Sequence, residues 1–307
     1  MMAHTTLASP GGTTSPRQLF DVRQFARNLL LRRSWFIAFV ILDVVVISAI
    51  TSSNVLQEAW AYVWVGINVT VQITVFSFLF AILIGLVVAL GRISRNPIIY
   101  NVSTFYVELF RGLPLLVIIL IFAFVITPAL IDLIAGTDTL PGIPFLDDLI
   151  QRIVGIPPDR IETTTLRSRD IDSVVRIVFA FAVTYGAFMS EVFRAGIESI
   201  GKGQMEASRS LGMSYFEALR YIILPQAIRN VLPALANNFI LLLKDTSLAS
   251  VVAVPEISHL TRQYASNRFR YPEALLILSF IYANLTILLS MGVYFLEHRL
   301  QGDRRED

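Results

Sequence analysis

The sequence predicts an all-α integral membrane protein with about six transmembrane helices. Three observations carry that expectation. Of its 307 residues, 55% are hydrophobic and 16% charged, whereas a soluble domain has about 25% charged residues. The apolar residues gather into runs near the roughly 20 residues that cross a bilayer. The remaining charges cluster mostly between those runs, where membrane topology is written.

Composition also excludes classes. The net charge of +2 is too small to imply a nucleic-acid partner. There is no cysteine, so no disulfide framework and no thiol chemistry. His4, His259 and His298 are scattered and form no metal-ligand pattern. No Gly-rich loop ending in Lys-Ser/Thr is present, so ATP is not expected to bind this chain. No catalytic set emerges.

Residues 1–16 are rich in Thr, Ser, Gly and Pro and read as disordered. A polar lead and the lack of a small-x-small cleavage pattern argue against a signal peptide. Phe20 to Arg33 fits a short amphipathic helix, closing a cytoplasmic segment 1–33. The first apolar run, Trp35 to Thr51, reaches a full span only if it extends toward Leu56; segment 34–58 is taken as an extra N-terminal transmembrane helix. Asp43 sits in its middle, as a paired or protonated carboxylate.

The core, 59–298, begins with a charge-free span from Val63 to Leu90. Arg92, Arg95 and Pro97 mark a turn. The next run, Tyr100 to Pro128, is interrupted by Glu108-Leu-Phe-Arg111-Gly112-Leu-Pro114. Such a break cannot face lipid, so it lies at the interface or lines a polar cavity. Residues 130–172 read as an external insertion with one short helix at Leu146 to Val154. A fourth span covers Val174 to Ile200, with Glu191 and Arg194 three apart near its end. The fifth, Val231 to Val254, holds Lys244-Asp245-Thr246-Ser247. Those four are either a self-neutralising pair between helices or a polar patch on a transport path. Glu256 to Glu273 is a loop or surface helix, Ala274 to Leu296 the sixth span, and 299–307 a cytoplasmic tail.

Six spans put both termini on one side. Arg17, Arg23, Arg27, Arg32, Arg33, Arg92, Arg95, Lys202, Arg209, Arg220, Arg229, Arg299, Arg304 and Arg305 fall there, which marks it as cytoplasmic. Arg262, Arg268 and Arg270 argue the other way.

The polar island 201–225 carries the most specific pattern. A first helix runs from Gly203 to Leu211 and Gly212 ends it. Ser214-Tyr-Phe-Glu217 has capping-box spacing and starts a second helix, which Pro225 ends or redirects. Ala207, Leu211, Tyr215 and Leu219 follow at four-residue steps along one apolar face. Glu206/Arg209 and Glu217/Arg220 are spaced as i, i+3 pairs. A solvated amphipathic loop would show the same periodicity.

The fixed positions say more. Glu206-Ala207-Ser208, Gly212 and Ile222-x-Leu224-Pro225 resemble the EAA loop of ABC importer permeases, with Ser208 for the second alanine. Three further stretches resemble the polar amino-acid uptake branch. They are Tyr106-Val-Glu108-Leu-Phe-Arg111-Gly112-x-Pro114, Glu191-Val-Phe-Arg194-Ala-Gly196, and Leu241-x-x-Lys244-Asp245-Thr246-Ser247-Leu248. The likeness covers about 60–128 and 174–298; the N-terminal helix and the 130–172 insertion depart from the family's five-span core.

That resemblance implies the type I ABC importer permease fold in the inner membrane of a prokaryote. It implies two ATP-binding subunits carrying ATP and Mg, a second permease (this chain or a relative) and an external solute-binding protein. It makes 201–225 the coupling loop, with Glu206, Ala207, Ser208, Leu211, Gly212, Met213 and Ser214 against the ATPase. Glu108, Glu191, Lys244, Asp245, Thr246 and Ser247 are the candidate substrate pathway for a polar amino acid, and Arg111 and Arg194 are structural. The rival reading is an ion-coupled secondary transporter with Asp43, Glu108 and Glu191 as relay groups, which leaves the loop pattern without a role.

Overall fold

In a computed structural model, residues 34–129 and 173–302 are described; helices follow one another throughout them and no strand occurs among them. The expected helices at Phe20 to Arg33 and Leu146 to Val154, and the tail beyond residue 302, lie outside the described residues.

Helix α1, Ser34–Ser52, stands in a unit of its own. Its length of 19 residues gives about 28 Å, close to the bilayer's apolar thickness. It stops earlier than the expected boundary at residue 58. Thr51 and Ser52 turn their hydroxyls back onto the Ser48 and Ala49 carbonyls, and Ser53 is extended (φ −116°, ψ 117°). The polar Thr-Ser-Ser run thus breaks the helix, and α2, Asn54–Val63, belongs to the second unit.

That unit has α3 (Gly66–Ile93), α4 (Pro97–Gly112), α5 (Leu115–Ile121, widened into a π turn at Phe122–Ile126) and α6 (Ser173–Glu198). Then come α7 (Lys202–Ser210), α8 (Tyr215–Ala218) and α9 (Leu224–Asp245), with a π turn at Leu219–Ile223 between the last two. A 3-10 segment, Thr246–Val252, leads to α10 (Ile257–Arg268) and α11 (Tyr271–Gly302). Among the described residues, four stretches are long and apolar enough to span: Asn54–Ile93, Ser173–Glu198, Leu219–Val252 and Tyr271–Phe295. A fifth arises if Pro97–Gly112 and Leu115–Ala129, bent by 108°, count as one. The apolar stretch of α1, Phe36–Ser52, is shorter than these.

Local chemistry explains the joins. Asn96 caps α4 by accepting from the Ile98 N–H at 2.9 Å, and Pro97 takes the first turn, where its missing N–H is not needed. The 108° bend falls at Leu113 and Pro114, both extended, as the Gly/Pro break predicts.

The heart of the unit is the contact of α3 with α6. Along α3, Thr70, Thr74, Ser77, Ala81, Gly85 and Ala89 form one buried stripe of small side chains. Small residues let helices meet backbone to backbone, which is how packing, rather than water exclusion, holds helices in lipid. A Cβ on Gly85 would sit 2.8 Å from the Met189 Cβ and 3.0 Å from the Gly186 carbonyl oxygen. Gly66, opening α3, is as tight: a Cβ would lie 2.7 Å from the Ile257 nitrogen. That contact presses α3 onto the start of α10.

Two predictions follow from these contacts. Gly66→Val must displace backbone and should cost about 3 kcal/mol, seen as a lower melting temperature in detergent. Gly85→Leu should cost at least as much, whereas Gly112→Ala, with open space around its Cβ, should be close to neutral.

Candidate functional site

The loop between α6 and α9 is closed by two interlocking caps. Gly212 has φ +85°, the left-handed region that favours glycine. The Gly212 N–H donates to the Arg209 carbonyl at 3.0 Å and the Met213 N–H to that of Ser208 at 3.2 Å, the paired bonds of a Schellman motif. The Ser214 N–H donates to the Glu217 carboxylate at 2.8 Å, and the Glu217 N–H donates back to the Ser214 hydroxyl at 3.3 Å. The expected capping box is therefore formed. The Ser214 backbone and side chain hold the Glu217 carboxyl below its usual range. Glu217 is spent on this cap, and Arg220, instead of meeting it, lies over the Tyr221 ring.

Periodicity leaves open where the face of Ala207, Leu211, Tyr215 and Leu219 points, and it does not pack inward. Leu211 is 85% exposed and Tyr215 52%, with Tyr221 beside them at 61%. The buried side chains are Ser208, Ala218 and Ile223. Ser208 fits where alanine is the family's rule because its hydroxyl donates to the Gln204 carbonyl at 2.6 Å. Pro225 also ends nothing: the π turn bonds Leu224 N–H to Leu219 O, and the proline sits in the first turn of α9, where its lack of an N–H is harmless.

The candidate pathway residues fall into separate places. Glu191 is taken by three guanidinium groups: Arg92 from the end of α3, Arg111 from the end of α4 at 3.3 Å, and Arg194 from its own helix at 2.8 Å. Arg194 also meets Glu198 at 2.7 Å, and Arg111 lies over the Phe188 ring. That is an ion cluster joining three helix ends. It leaves the Glu191 carboxylate bound into structure and gives Arg111 and Arg194 the structural role expected of them. Glu108 is exposed on α4.

Lys244 to Ser247 straddles the change from α9 to the 3-10 segment. Asp245 does not pair with Lys244; it accepts from the Tyr185 hydroxyl of α6 at 2.7 Å. The buried Thr246 returns its hydroxyl to the Leu243 carbonyl at 2.6 Å. Lys244 and Ser247 instead line a cleft of about 480 Å³, with Ser258 of α10 and Tyr282 and Thr286 of α11.

Beneath that cleft lies Glu256, fully buried and invisible to the sequence reading. It caps α10 by accepting from the Ser258 and His259 N–H groups at 2.8 and 2.7 Å. It also accepts from the Tyr282 hydroxyl at 3.1 Å. Burial pushes its carboxyl up to about 7, although these donors and nearby Arg262 pull the other way. The Val-Pro-Glu-Ile-Ser order offered a cue, an acid next to a helix start, but glutamate is not a common cap. Arg176 was missed too. It lies just inside α6, and its guanidinium donates to the Ala123 carbonyl in the π turn at 3.1 Å.

Comparison with known proteins finds relatives of this chain. Residues 81–302 match the family described as binding-protein-dependent transport system inner membrane component. The chain is 33% identical to the probable amino-acid permease protein YxeN of Bacillus subtilis (strain 168), over 67% of this chain and 77% of that one. It is 33% identical to the probable glutamine ABC transporter permease protein GlnM of the same organism, over 71% and 83%. A crystal structure of an amino acid ABC transporter with histidines superposes with a TM-score of 0.58 at 28% identity, over 82% and 97%. The inward-facing MetNI methionine ABC transporter shares the fold at a TM-score of 0.54 and 17% identity, over 78% and 96%.

Glu191→Gln should leave Arg92, Arg111 and Arg194 without their common counter-ion. The side chain is 22% exposed. The expected loss is therefore about 2 kcal/mol, below the value for a fully buried pair. A double-mutant cycle with Arg92→Gln, read by thermal unfolding in detergent, should return a clear coupling energy; additive effects would remove the cluster from the fold's support.

Proposed function

The chain belongs to the family of binding-protein-dependent transport system inner membrane components, and we propose that it is the membrane-spanning subunit of an ATP-driven importer for a polar amino acid. ATP is hydrolysed on a separate partner subunit in such transporters. The reading rests most on the loop 201–225, a rigid double-capped hairpin that presents Leu211, Tyr215 and Tyr221 to its surroundings. Exposed apolar side chains on a preordered support are what a docking surface needs, since little ordering entropy is lost on binding.

In this reading, Glu206, Ala207, Ser208, Leu211, Gly212, Met213 and Ser214 form the coupling segment seated in the ATPase, with Ser208 as its inward anchor. ATP and Mg act on that partner. A solute-binding protein delivers cargo from the other side, and a second permease, this chain or a relative, completes the path. Both termini are cytoplasmic, the topology that puts the loop where an ATPase can reach it. Of the outer arginines that oppose this topology, Arg268 is paired with Glu58 at 2.6 Å and Arg270 with Glu273 at 3.2 Å. The amino-acid cargo is supported by the kinship with amino-acid permeases. Lys244, Asp245, Thr246 and Ser247 remain the proposed pathway, with Glu108 nearer the broken span. The ion-coupled alternative is not favoured, because Glu191, one of its relay groups, is occupied by arginines.

The direct test is to tag the chain, extract it gently and identify by mass what accompanies it. An ATP-binding subunit in about equal amount to total permease supports the reading. Leu211→Asp should remove that subunit while the melting temperature of the permease stays unchanged, because the residue is 85% exposed. Gly212→Ala puts a Cβ into open space and carries only a backbone penalty of about 1–2 kcal/mol. It should leave the spans folded and ATP hydrolysis running but lower amino-acid uptake per ATP. Normal uptake by both variants would overturn the coupling role.

A further inference from the structure

Phe269 stands where a glycine would be at ease. It follows the last residue of α10 with φ +56° and ψ +36°, the left-handed region in which a side chain is strained. The turn demands that conformation. The Phe269 and Arg270 N–H groups both donate to the Ala265 carbonyl, the second at 3.1 Å, and α11 starts at Tyr271. Burial does not offset the strain, because the residue is 87% exposed. The two residues before it, Asn267 and Arg268, line a cleft of about 300 Å³ with Tyr264 of α10 and with Glu58 and Tyr62 of α2. Its walls are fixed. The Tyr62 hydroxyl donates to the Gln263 side-chain oxygen at 2.9 Å, and the Tyr264 hydroxyl donates to the Val55 carbonyl at 3.3 Å. The two tyrosine rings lie 5.8 Å apart. A strained, exposed aromatic side chain thus adjoins a preformed hollow.

We propose that Phe269 and this cleft are a knob and socket by which the permease grips the external solute-binding protein. This rests on the importer reading above and names the surface used on that side. The place is right. Helix α3 has 28 residues, about 42 Å. Its Arg92 end meets Glu191, just ahead of the coupling loop, and its Gly66 end touches the start of α10. The cleft therefore lies at the end remote from the ATPase. Water, not lipid, bathes it: Arg268 and Glu58 pair at 2.6 Å within its lining and both are half-exposed, which hydrocarbon would not tolerate. The family is described as binding-protein-dependent, so a protein partner must hold this end of the molecule. Aromatic and arginine side chains are the usual anchors of such contacts, and a rigid support limits the entropy lost on docking. The Arg268–Glu58 and Arg270–Glu273 pairs supply a polar rim around the knob.

The strain separates docking from a structural role. Glycine at 269 relaxes the backbone, so Phe269→Gly should raise the melting temperature in detergent by about 2–4 °C. The same change removes the knob and should weaken the hold on the partner. A phenylalanine kept for the fold would lose stability on that change instead of gaining it.

The test uses the permease with its ATP-binding subunit in lipid nanodiscs. The amino-acid-binding proteins of the source organism, each loaded with its ligand, are added one at a time, and the probe is the one that stimulates ATP hydrolysis. Phe269→Gly and Asn267→Trp, which fills the socket, should each raise its half-stimulating concentration roughly tenfold. Phe269→Trp keeps an aromatic knob and should stay within about twofold of wild type. The chain has no cysteine, so a nitroxide on Phe269→Cys reports from one place in it. That label should meet water-soluble relaxants in the free complex and be immobilised by the loaded binding protein. A label that meets chiefly oxygen dissolved in lipid would put residue 269 in the membrane and overturn the proposal. A wild-type half-stimulating concentration in both Phe269→Gly and Asn267→Trp would overturn it too, and the importer reading would then stand without this docking surface. If no binding protein stimulates the wild-type complex, the importer reading fails and the proposal falls with it.

Discussion

The close approach of α3 and α6 is the constraint on which the second unit depends. The stripe from Thr70 to Ala89 has no bulky side chain at its contact positions apart from Ile73. It works because α6 answers with Ala180, Ala187 and Gly186 beside the larger Phe181, Tyr185 and Met189. A helix pair in lipid gains nothing from expelling water, so this fit must supply the attraction. Its consequences run both ways along the helices. At one end the crossing brings Arg92 and Arg194 to a common carboxylate. At the other, Gly66 lets α3 touch the backbone where α10 begins.

Several described charges inside the bundle sit where helices end or backbone geometry changes. Arg176 meets a carbonyl of the α5 π turn, and Asp245 stands where α9 tightens into the 3-10 segment. Glu256 opens α10, and Glu191 gathers the ends of α3 and α4. Irregular backbone and ionised side chains are both costly in hydrocarbon. Placing them together lets each satisfy the other. The polar residues of this chain are therefore not spread along a single path: some fasten helices, and those on the cleft remain available to a ligand.

The sequence made the loop legible to the level of single hydrogen bonds. Gly212 and the Ser214/Glu217 pair act locally, within a few residues, and local rules suffice for them. The spans were legible in kind because length and hydropathy are one-dimensional signals, but not in number: six were expected, and among the described residues four stretches qualify, or five with the bent pair. Tertiary facts were not. Leu211 and Tyr215 keep a helical period whether their face meets this chain or another, so period could not tell that they point outward. The partner of Asp245 is on α6, not beside it in sequence, and Lys244 as an adjacent opposite charge made the wrong pairing attractive. Glu256 was hidden in a segment read as a surface loop because its burial depends on α3 and α11 converging over it. Pro225 misled for a related reason: a π turn upstream absorbs the proline that local rules treat as a stop.

That absorbed proline bears on how force could cross the molecule. From Leu219 to Val252 the backbone is helical without a break, 34 residues in all, or about 50 Å at α-helical rise. Its lower end is joined to the double-capped loop through α8, and Ser208 is buried on the inner side of α7. Its upper end is the 3-10 segment that carries Ser247 into the cleft. A flexible joint at Pro225 would dissipate motion of the loop before it reached the span. A continuous helix instead makes displacement at Leu211 a rotation or shift of the whole rod, and Lys244 and Ser247 ride on its far end. The Tyr185–Asp245 bond ties that same end to α6, and the Glu191 cluster ties α6 to α3 and α4. The α3–α6 pair is thus the frame to which the far end of the rod between the loop and the cleft is fastened.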